Sequence, residues 1–183
     1  MILPAAVTVA LPWLQWGIII ALAFVSGIAW CFIGWVVPII KLNTNSKTAA
    51  AQLVDTAYRG GIWLEPFNAA LAATLGLMSI ALRYHPDPVE AASWKFFAGA
   101  SFTLLQVAWW ERVFIFPLDD AVMAIRDTQD RKSAANGLSE QKKLADLHRM
   151  LDAWAVYHSV RATLPFVAAM VALTGKFSVL ASW

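Results

Sequence analysis

Four residues near the start of the last apolar run have types and a spacing that suit acid-base chemistry. Trp154, His158, Arg161 and Pro165 stand at positions i, i+4, i+7 and i+11, which places them on one face of a helix. A guanidinium one turn away favours the neutral imidazole, which can accept a proton. The pattern predicts a functional role for His158, as a neutral imidazole that can accept a proton beside a cation. The alternatives are a structural histidine and a Trp154 that belongs only to an interfacial aromatic belt.

Two earlier apolar runs carry polar side chains at the same predicted depth. Glu111 and Arg112 are neighbours near the end of the third run, and Glu65 and Asn68 lie near the start of the second. Charged residues inside membrane spans are costly, and they usually face the interior of a helical bundle or a wet cavity. The shared depth therefore predicts one polar pocket, in which Glu65 or Glu111 pairs with Arg161.

Each of these residues also has a simpler interpretation. Arg112 can extend to the lipid headgroups, and it cannot share a face with Glu111 because neighbours on a helix point about 100° apart. Glu65 can stabilise the N-terminus of a helix, since Pro66 suits a first helical turn. Asn68 can form a hydrogen bond between two helices.

The elements that carry these residues follow from the composition. The chain of 183 residues is 60% hydrophobic, with a mean hydropathy of +0.60, whereas soluble domains are about 45–50% apolar. Four apolar runs, at residues 13–40, 60–82, 96–118 and 153–175, are long enough to cross about 30 Å of hydrocarbon as helices. We predict an all-α fold, an integral-membrane four-helix bundle with a cytosolic helical connector and a single domain over residues 1–183. The first run follows no basic segment and is too long for a signal peptide, so we expect it to remain as a span.

Basic residues are concentrated in two connecting segments. Residues 41–59 contain three and residues 119–152 contain six, whereas the other side has Arg83, Lys95 and Lys176. The positive-inside rule predicts that these two segments face the cytosol and that both termini face the lumen. Within 119–152, Asp119 and Asp120 are expected to cap a short helix, and a second helix is expected to run from about residue 139 into the last span. The mixture of acids and bases there does not suit a nucleic acid.

Several kinds of site are excluded by what the sequence lacks. It has one Cys and three His, so a disulfide within the chain and a metal centre built from several Cys or His are not expected. It has no HExxH, GxGxxG, GxSxG or phosphate-loop motif. We therefore predict no metal and no tightly bound organic cofactor. Trp109 and other deep tryptophans could line an aromatic cavity for a planar hydrophobic ligand, or could simply be packed.

Three stretches resemble the small four-span anthrone oxygenases of fungal polyketide pathways. They are VSGIAWCFIGWVVPII at 25–40, ERVFIFPLDDAVMAIRD at 111–127 and LDAWAVYHSVRATLPFVAAMVAL at 151–173. Together with the spacing of the apolar runs, the resemblance covers nearly the whole chain. The exit of the third run departs from the family, because it has PLDD where the family often has Pro-x-Asn, and VFIF where a Pro-Tyr/Phe-Thr pattern is common.

The resemblance implies an oxygenase that converts the central methylene of an anthrone into the ketone of an anthraquinone. O₂ is the implied co-substrate, no cofactor is bound, and the endoplasmic reticulum is the implied membrane. His158 is then the base, and Arg161 or Arg112 stabilises the enolate and the superoxide that follows. Glu65 or Glu111 orients the base or balances the arginine.

The resemblance also implies a planar, hydrophobic substrate. Asn68 is expected to hold its phenol or carbonyl oxygen, and Trp154, Trp109 and Arg112 are expected to contact it. Two other functions stay open: a membrane cyclase or isomerase that uses the same acid-base groups without O₂, and a non-enzymatic scaffold or small transporter. The small interior of a four-helix bundle makes a homo-oligomer plausible.

Overall fold

The computed structural model describes residues 4–129 and 137–181, and every regular element in these ranges is helical. Two π-helical segments each join two α-helices without a break: Phe32–Val36 follows the first helix and Glu111–Ile115 follows the fifth. The α-helices of the described residues are α1 (Ala5–Cys31), α2 (Val37–Lys41), α3 (Ser46–Arg83), α4 (Pro88–Ala92), α5 (Trp94–Trp110), α6 (Phe116–Gln129) and α7 (Gly137–Leu180).

Three helical stretches of the described residues are long and apolar enough to cross a membrane. They are Ala6–Lys41, Ser46–Arg83 and Glu140–Val179, and less than half of the most apolar part of each is buried. Large apolar side chains such as Trp13 and Leu77 remain exposed on them. A large apolar surface of this kind marks contact with a membrane or a partner, and helices of this length satisfy their own backbone in lipid. The protein is therefore an all-α, helical-bundle membrane protein.

The third apolar run, residues 96–118, has a different form. It covers most of α5, which has 17 residues, then the second π-helical segment and the start of α6. The chain is helical without a break from Trp94 to Gln129. That this run crosses the membrane as a fourth span stays a prediction.

The predicted start of a helix at Asp119 and Asp120 is wrong. α6 already begins at Phe116, because the N–H of Phe116 donates to the carbonyl of Glu111 and so continues the helix from the π-helical segment. Pro117 is tolerated in this first turn, where its missing N–H costs little. The carboxylate of Asp119 is consequently free for the tertiary hydrogen bond described below.

The prediction that a connector helix runs directly into the last span is confirmed. α7 continues without interruption from Gly137 to Leu180, over 44 residues. At 1.5 Å per residue it is about 66 Å long, roughly twice the hydrocarbon thickness. Residues 130–136, which carry two of the basic residues of the predicted cytosolic segment, lie outside the described residues.

The chain divides into two compact units. The first contains the described residues of Met1–Gly27, Pro66–Val107 and Ala162–Trp183, and the second contains those of Ile28–Glu65 and Ala108–Arg161.

The first unit is packed mainly from apolar side chains, among which Leu22, Leu75 and Phe97 are fully buried. Its buried Lys176 forms an ion pair through Nζ with Oε1 of the partly buried Glu90, at 3.1 Å. Glu90 also accepts a hydrogen bond from Gln15. This pairing satisfies the charges inside the unit, as burial requires.

The second unit has its own apolar core and holds the polar residues near it. The core is formed by Val37, Ile40, Ala49, Ala50, Leu53, Ile115, Val122, Leu147, Leu151 and Trp154. The core fixes the relative positions of α3, α6 and α7 within this unit, and these helices carry most of the candidate site.

Candidate active site

A small polar cavity lies inside the second unit, next to both π-helical segments. Its volume is about 40 Å³, enough for a few water-sized molecules but too little for a ring system. Its polar lining residues are Glu65, Glu111, Asp119, His158 and Arg161, and its aromatic lining residues are Phe32, Phe116 and Trp154. Phe32 and Glu111 are the first residues of the two π-helical segments, and such segments often occur at functional sites.

His158 is the buried imidazole of this cavity. The residue is 6% exposed, and neither ring nitrogen has a hydrogen-bond partner within the described ranges. The ring stacks on Trp154, with centroids 4.2 Å apart and an interplanar angle of 13°. Phe32 meets it edge-on at 5.9 Å. Buried polar nitrogens are normally paired, so this imidazole is held by aromatic contacts and keeps both nitrogens for another group.

Arg161 and Glu111 form a buried ion pair at the same cavity. Arg161 Nε donates to Glu111 Oε1, and the two side chains are 5% and 7% exposed. The pair places a guanidinium one turn from His158 while its charge is balanced locally. Of the two carboxylates predicted as partners of Arg161, Glu111 is therefore the one that forms the hydrogen bond.

Asp119 forms a hydrogen bond with Trp154, and both residues line the cavity. Its Oδ1 accepts a hydrogen bond of 3.0 Å from the indole Nε1. Burial raises the pKa of Asp119 to about 6, and the hydrogen bond from Trp154 opposes this shift by stabilising the carboxylate. The negative charges of Asp120, Glu111 and Glu65 also raise the pKa. The group thus changes its charge close to neutral pH.

Glu65 lines the cavity from α3, beside Gly61. A Cβ atom at Gly61 would come within 2.9 Å of Glu65 Oε1. The absence of a side chain at Gly61 therefore leaves the room that the carboxylate occupies. Glu65 contributes a second negative charge near the Arg161–Glu111 pair.

A larger groove lies beside the cavity in the same unit, along α3 and α6. Its volume is about 640 Å³, within the range of roughly 300–1,000 Å³ that is usual for ligand sites. Ala57, Gly61, Glu65 and Asp119 line both the groove and the cavity. The two spaces are therefore neighbours with a common boundary.

Three residues predicted for the substrate do not line either space. Arg112 is exposed, because it points away from the direction taken by its neighbour Glu111. Trp109 is 58% exposed and contacts the rings of Trp110 and Phe114. Asn68 belongs to the first unit, where it is buried and its Oδ1 has no hydrogen-bond partner among residues 4–129 and 137–181.

Three of the lining residues named above were missed by the sequence analysis. Asp119 was interpreted as a helix cap, and Phe32 and Phe116 were given no role. A signal for Asp119 was present, because Glu111, Ile115 and Asp119 stand at intervals of four, a spacing that places neighbours on the same face of a helix, and all three line the cavity.

The family model described as anthrone oxygenase matches residues 55–171, more than half of the chain. The chain belongs to the anthrone oxygenase family. No curated protein and no solved structure matches the chain. Membership of the anthrone oxygenase family indicates an oxygenase-type function. The matched range contains every polar residue of the cavity named above, whereas Phe32 lies outside it.

Nowhere in the described part of the chain do three or more His, Cys, Asp or Glu residues form a group that could hold a metal ion. The groups that the cavity does offer are a buried imidazole, a balanced guanidinium and two further carboxylates. These groups suit proton transfer beside a developing negative charge.

Proposed function

We propose that the protein oxidises the central methylene of an anthrone-type aromatic to an anthraquinone ketone, with O₂ as co-substrate and no bound cofactor. The observation that supports this most directly is the buried His158, whose two nitrogens are unpartnered in the described residues. It stands in one cavity with the Arg161–Glu111 pair.

His158 acts as the general base. Neutral imidazole removes one methylene proton, and the electron pair of the C–H bond stays on the substrate as an enolate that extends over the rings. The stacked Trp154 and the edge of Phe32 hold the imidazole in place. A positioned base of this kind typically contributes about 10²–10⁴-fold to a rate.

Electron transfer to O₂ completes the reaction. The enolate passes one electron to O₂, and the resulting radical and superoxide combine to form a C–O bond. The peroxide takes up the proton held by His158. Loss of the second methylene hydrogen as a proton, with cleavage of the O–O bond, then gives the ketone and water. One oxygen atom is in the product and the other is in water, so atoms and electrons balance.

Arg161 stabilises the negative charge that develops on the enolate oxygen and on the peroxide. Glu111 accepts a hydrogen bond from Nε of Arg161 and so fixes the guanidinium. The negative charge of Glu111 also lowers the free-energy cost of burying the arginine. Glu65 borders the cavity on the side of the larger groove, where its carboxylate can accept a hydrogen bond from a phenol. Preorganised charges of this kind are often the largest contribution to catalysis.

We also propose that this reaction serves fungal polyketide biosynthesis in the endoplasmic reticulum membrane. Residues 41–59 and 119–152 would face the cytosol and both termini the lumen. The distribution of basic residues in the sequence supports this orientation.

The test is an incubation of the purified protein in detergent with emodin anthrone, following quinone absorbance and O₂ uptake. His158→Ala should reduce the rate by about 10²-fold or more. His148→Ala is the matched control, because His148 also has a buried, unpaired Nε2 in the described residues but does not line the cavity. Full activity in His158→Ala would exclude His158 as the base.

The same incubation distinguishes the other two functions. A product formed without O₂ uptake would identify a cyclase or isomerase that uses the same base. Neither binding nor turnover, with His158→Ala lowering only the stability of the fold, would favour a non-enzymatic scaffold.

A further inference from the structure

The larger groove of the second unit has the size and the lining of a substrate site. Its volume of about 640 Å³ suits a fused aromatic system, whereas the cavity of about 40 Å³ at His158 admits only small molecules. A substrate that lay in the groove would meet the cavity at Glu65 and Asp119, which line both. Its reacting edge, and O₂, would then be the parts that reach His158.

The groove combines apolar sides with a surplus of negative charge. Val54, Ile62 and Met123 line it together with three carboxylates, those of Asp55, Glu65 and Asp119. Asp55 forms an ion pair with Arg59 at 2.8 Å, and Arg126 supplies one further positive charge. The surplus of negative charge therefore rests on Glu65 and Asp119. The guanidinium of Arg126 also forms an ion pair with Asp127 at 2.8 Å, which offsets it further.

This charge pattern distinguishes between classes of ligand. Ionised carboxylates are hydrogen-bond acceptors only, so they favour a phenol, which donates. They repel a ligand that carries its own carboxylate, by about 0.5 kcal/mol for each charge pair near 8 Å in water and more in a less polar medium. A neutral, phenol-bearing ligand therefore fits this groove better than a carboxylated one.

We infer that the groove along α3 and α6 is the substrate site, and that it selects neutral, phenol-bearing, fused-ring aromatics over their carboxylated analogues. The inference rests on the proposed function for the identity of the reaction. The expected substrate contacts are therefore residues of the groove. Asn68, Trp109 and Arg112, which the sequence suggested, do not line it.

Two substitutions fill the groove without touching His158: Ile62→Trp and Met123→Trp. Each should raise the KM for emodin anthrone, and the Kd for the unreactive anthraquinone emodin, by about tenfold or more, a change that corresponds to about 1.4 kcal/mol. Ile39→Trp is the control, because Ile39 is 61% exposed and does not line the groove. It should change neither constant by more than about twofold. Unchanged constants in both groove variants would overturn the inference.

Charge selection is tested with an anthrone carboxylic acid beside the neutral anthrone. The natural protein should favour the neutral compound in kcat/KM, and Glu65→Gln should reduce that preference by about threefold. Glu65 is the carboxylate to change, because Asp55 is already paired with Arg59. Equal use of both compounds by the natural protein would overturn the selectivity. So would a preference for the acid that is lost in Arg126→Gln, since Arg126 would then bind the carboxylate.

The binding measurement separates the failure of this inference from the failure of the proposed function. If emodin binding is weakened in Ile62→Trp and Met123→Trp while the natural protein consumes no O₂, the groove stands as a ligand site and the oxygenase reaction fails. If the natural protein oxidises the anthrone while both variants keep its KM and Kd, the reaction stands and the groove is excluded.

Discussion

The indole of Trp154 lies almost parallel to the imidazole of His158, with ring centroids 4.2 Å apart and an interplanar angle of 13°. The indole is held in turn by Asp119, whose Oδ1 accepts the hydrogen bond from Nε1 at 3.0 Å. The orientation of the proposed base therefore depends on a carboxylate that acts on it through Trp154.

Asp119→Leu should lower kcat by about tenfold, because loss of a buried hydrogen bond costs on the order of 1–3 kcal/mol and releases the indole. Asp119→Asn should restore most of the activity, since the amide oxygen can still accept from the indole. The measurement is kcat and KM for emodin anthrone in both variants. Equal loss in both would mean that the negative charge of Asp119, and not its hydrogen bond, is required.

The titration of Asp119 predicts a pH-dependent stability. Its pKa rises from 3.8 to about 6 on folding, chiefly through burial and against the hydrogen bond from Trp154. The charges of Asp120, Glu111 and Glu65 add to the rise. The folded protein thus holds this proton more tightly than the unfolded chain, so the contribution is greatest below about pH 4 and is lost as the pH rises through about 6.

Asp119→Asn removes this titration. The free energy of unfolding of the variant, relative to that of the natural protein, should therefore increase between about pH 4 and pH 7, by at most roughly 3 kcal/mol for two pKa units. Thermal unfolding in detergent at several pH values measures the difference. A difference that stays constant over this range would contradict the raised pKa.

The buried pair of Arg161 and Glu111 predicts a non-additive effect on stability. Arg161→Gln leaves the Glu111 carboxylate buried without its cation, which should destabilise the fold by about 3–5 kcal/mol. The double variant with Glu111→Gln should be more stable than Arg161→Gln alone. Thermal unfolding of the two single variants and the double variant measures this coupling.

The partly exposed pair of Lys41 and Asp152 is the matched control for that experiment. Its side chains are 29% and 68% exposed, so Lys41→Gln should cost less than about 1 kcal/mol. Equal costs for the two pairs would contradict the burial of the Arg161–Glu111 pair.

The close approach of Glu65 to Gly61 predicts that a side chain at position 61 would displace the Glu65 carboxylate. Gly61→Ala places a Cβ within 2.9 Å of the present Glu65 Oε1, so the flexible carboxylate must move away from the boundary of cavity and groove. We expect kcat/KM for the anthrone to fall by about three- to tenfold, a cost on the order of 1 kcal/mol. Gly27→Ala is the control, because a Cβ atom at Gly27 would meet nothing within 4 Å beyond the backbone of its own helix, and it should retain activity.

The fold and the central part of the site could be predicted from the sequence. Long apolar runs must be helical in lipid, and regular spacing on one α-helix placed Trp154, His158 and Arg161 on a common face. The structure brings all three to one cavity, together with Glu65 and Glu111. These inferences depend only on helix geometry and on the cost of burying charge.

The remaining part of the site could not be predicted from helical periodicity alone. Residues 111 and 112 are adjacent, and no pattern decided which of them faces inward; the structure buries Glu111 and exposes Arg112. Asp119 follows a proline and looked like a cap, yet its carboxylate binds Trp154. Asn68 was predicted to lie at the depth of the other polar residues, but a predicted depth does not decide in which unit a side chain is packed.

Two π-helical segments, Phe32–Val36 and Glu111–Ile115, border the cavity. Each should be recognisable in an alignment of related sequences as a one-residue insertion. A π turn holds one residue more than an α turn, and a single inserted codon supplies it. Removing one codon from either segment would close the widened turn at Phe32 or Glu111 into a plain α-helix, while the residues beyond it would keep roughly their present orientation. Relatives that share the helices but show a one-residue gap at either segment should therefore lack this cavity. Such a gap would separate members that have the groups for the proposed reaction from members that keep only the helices.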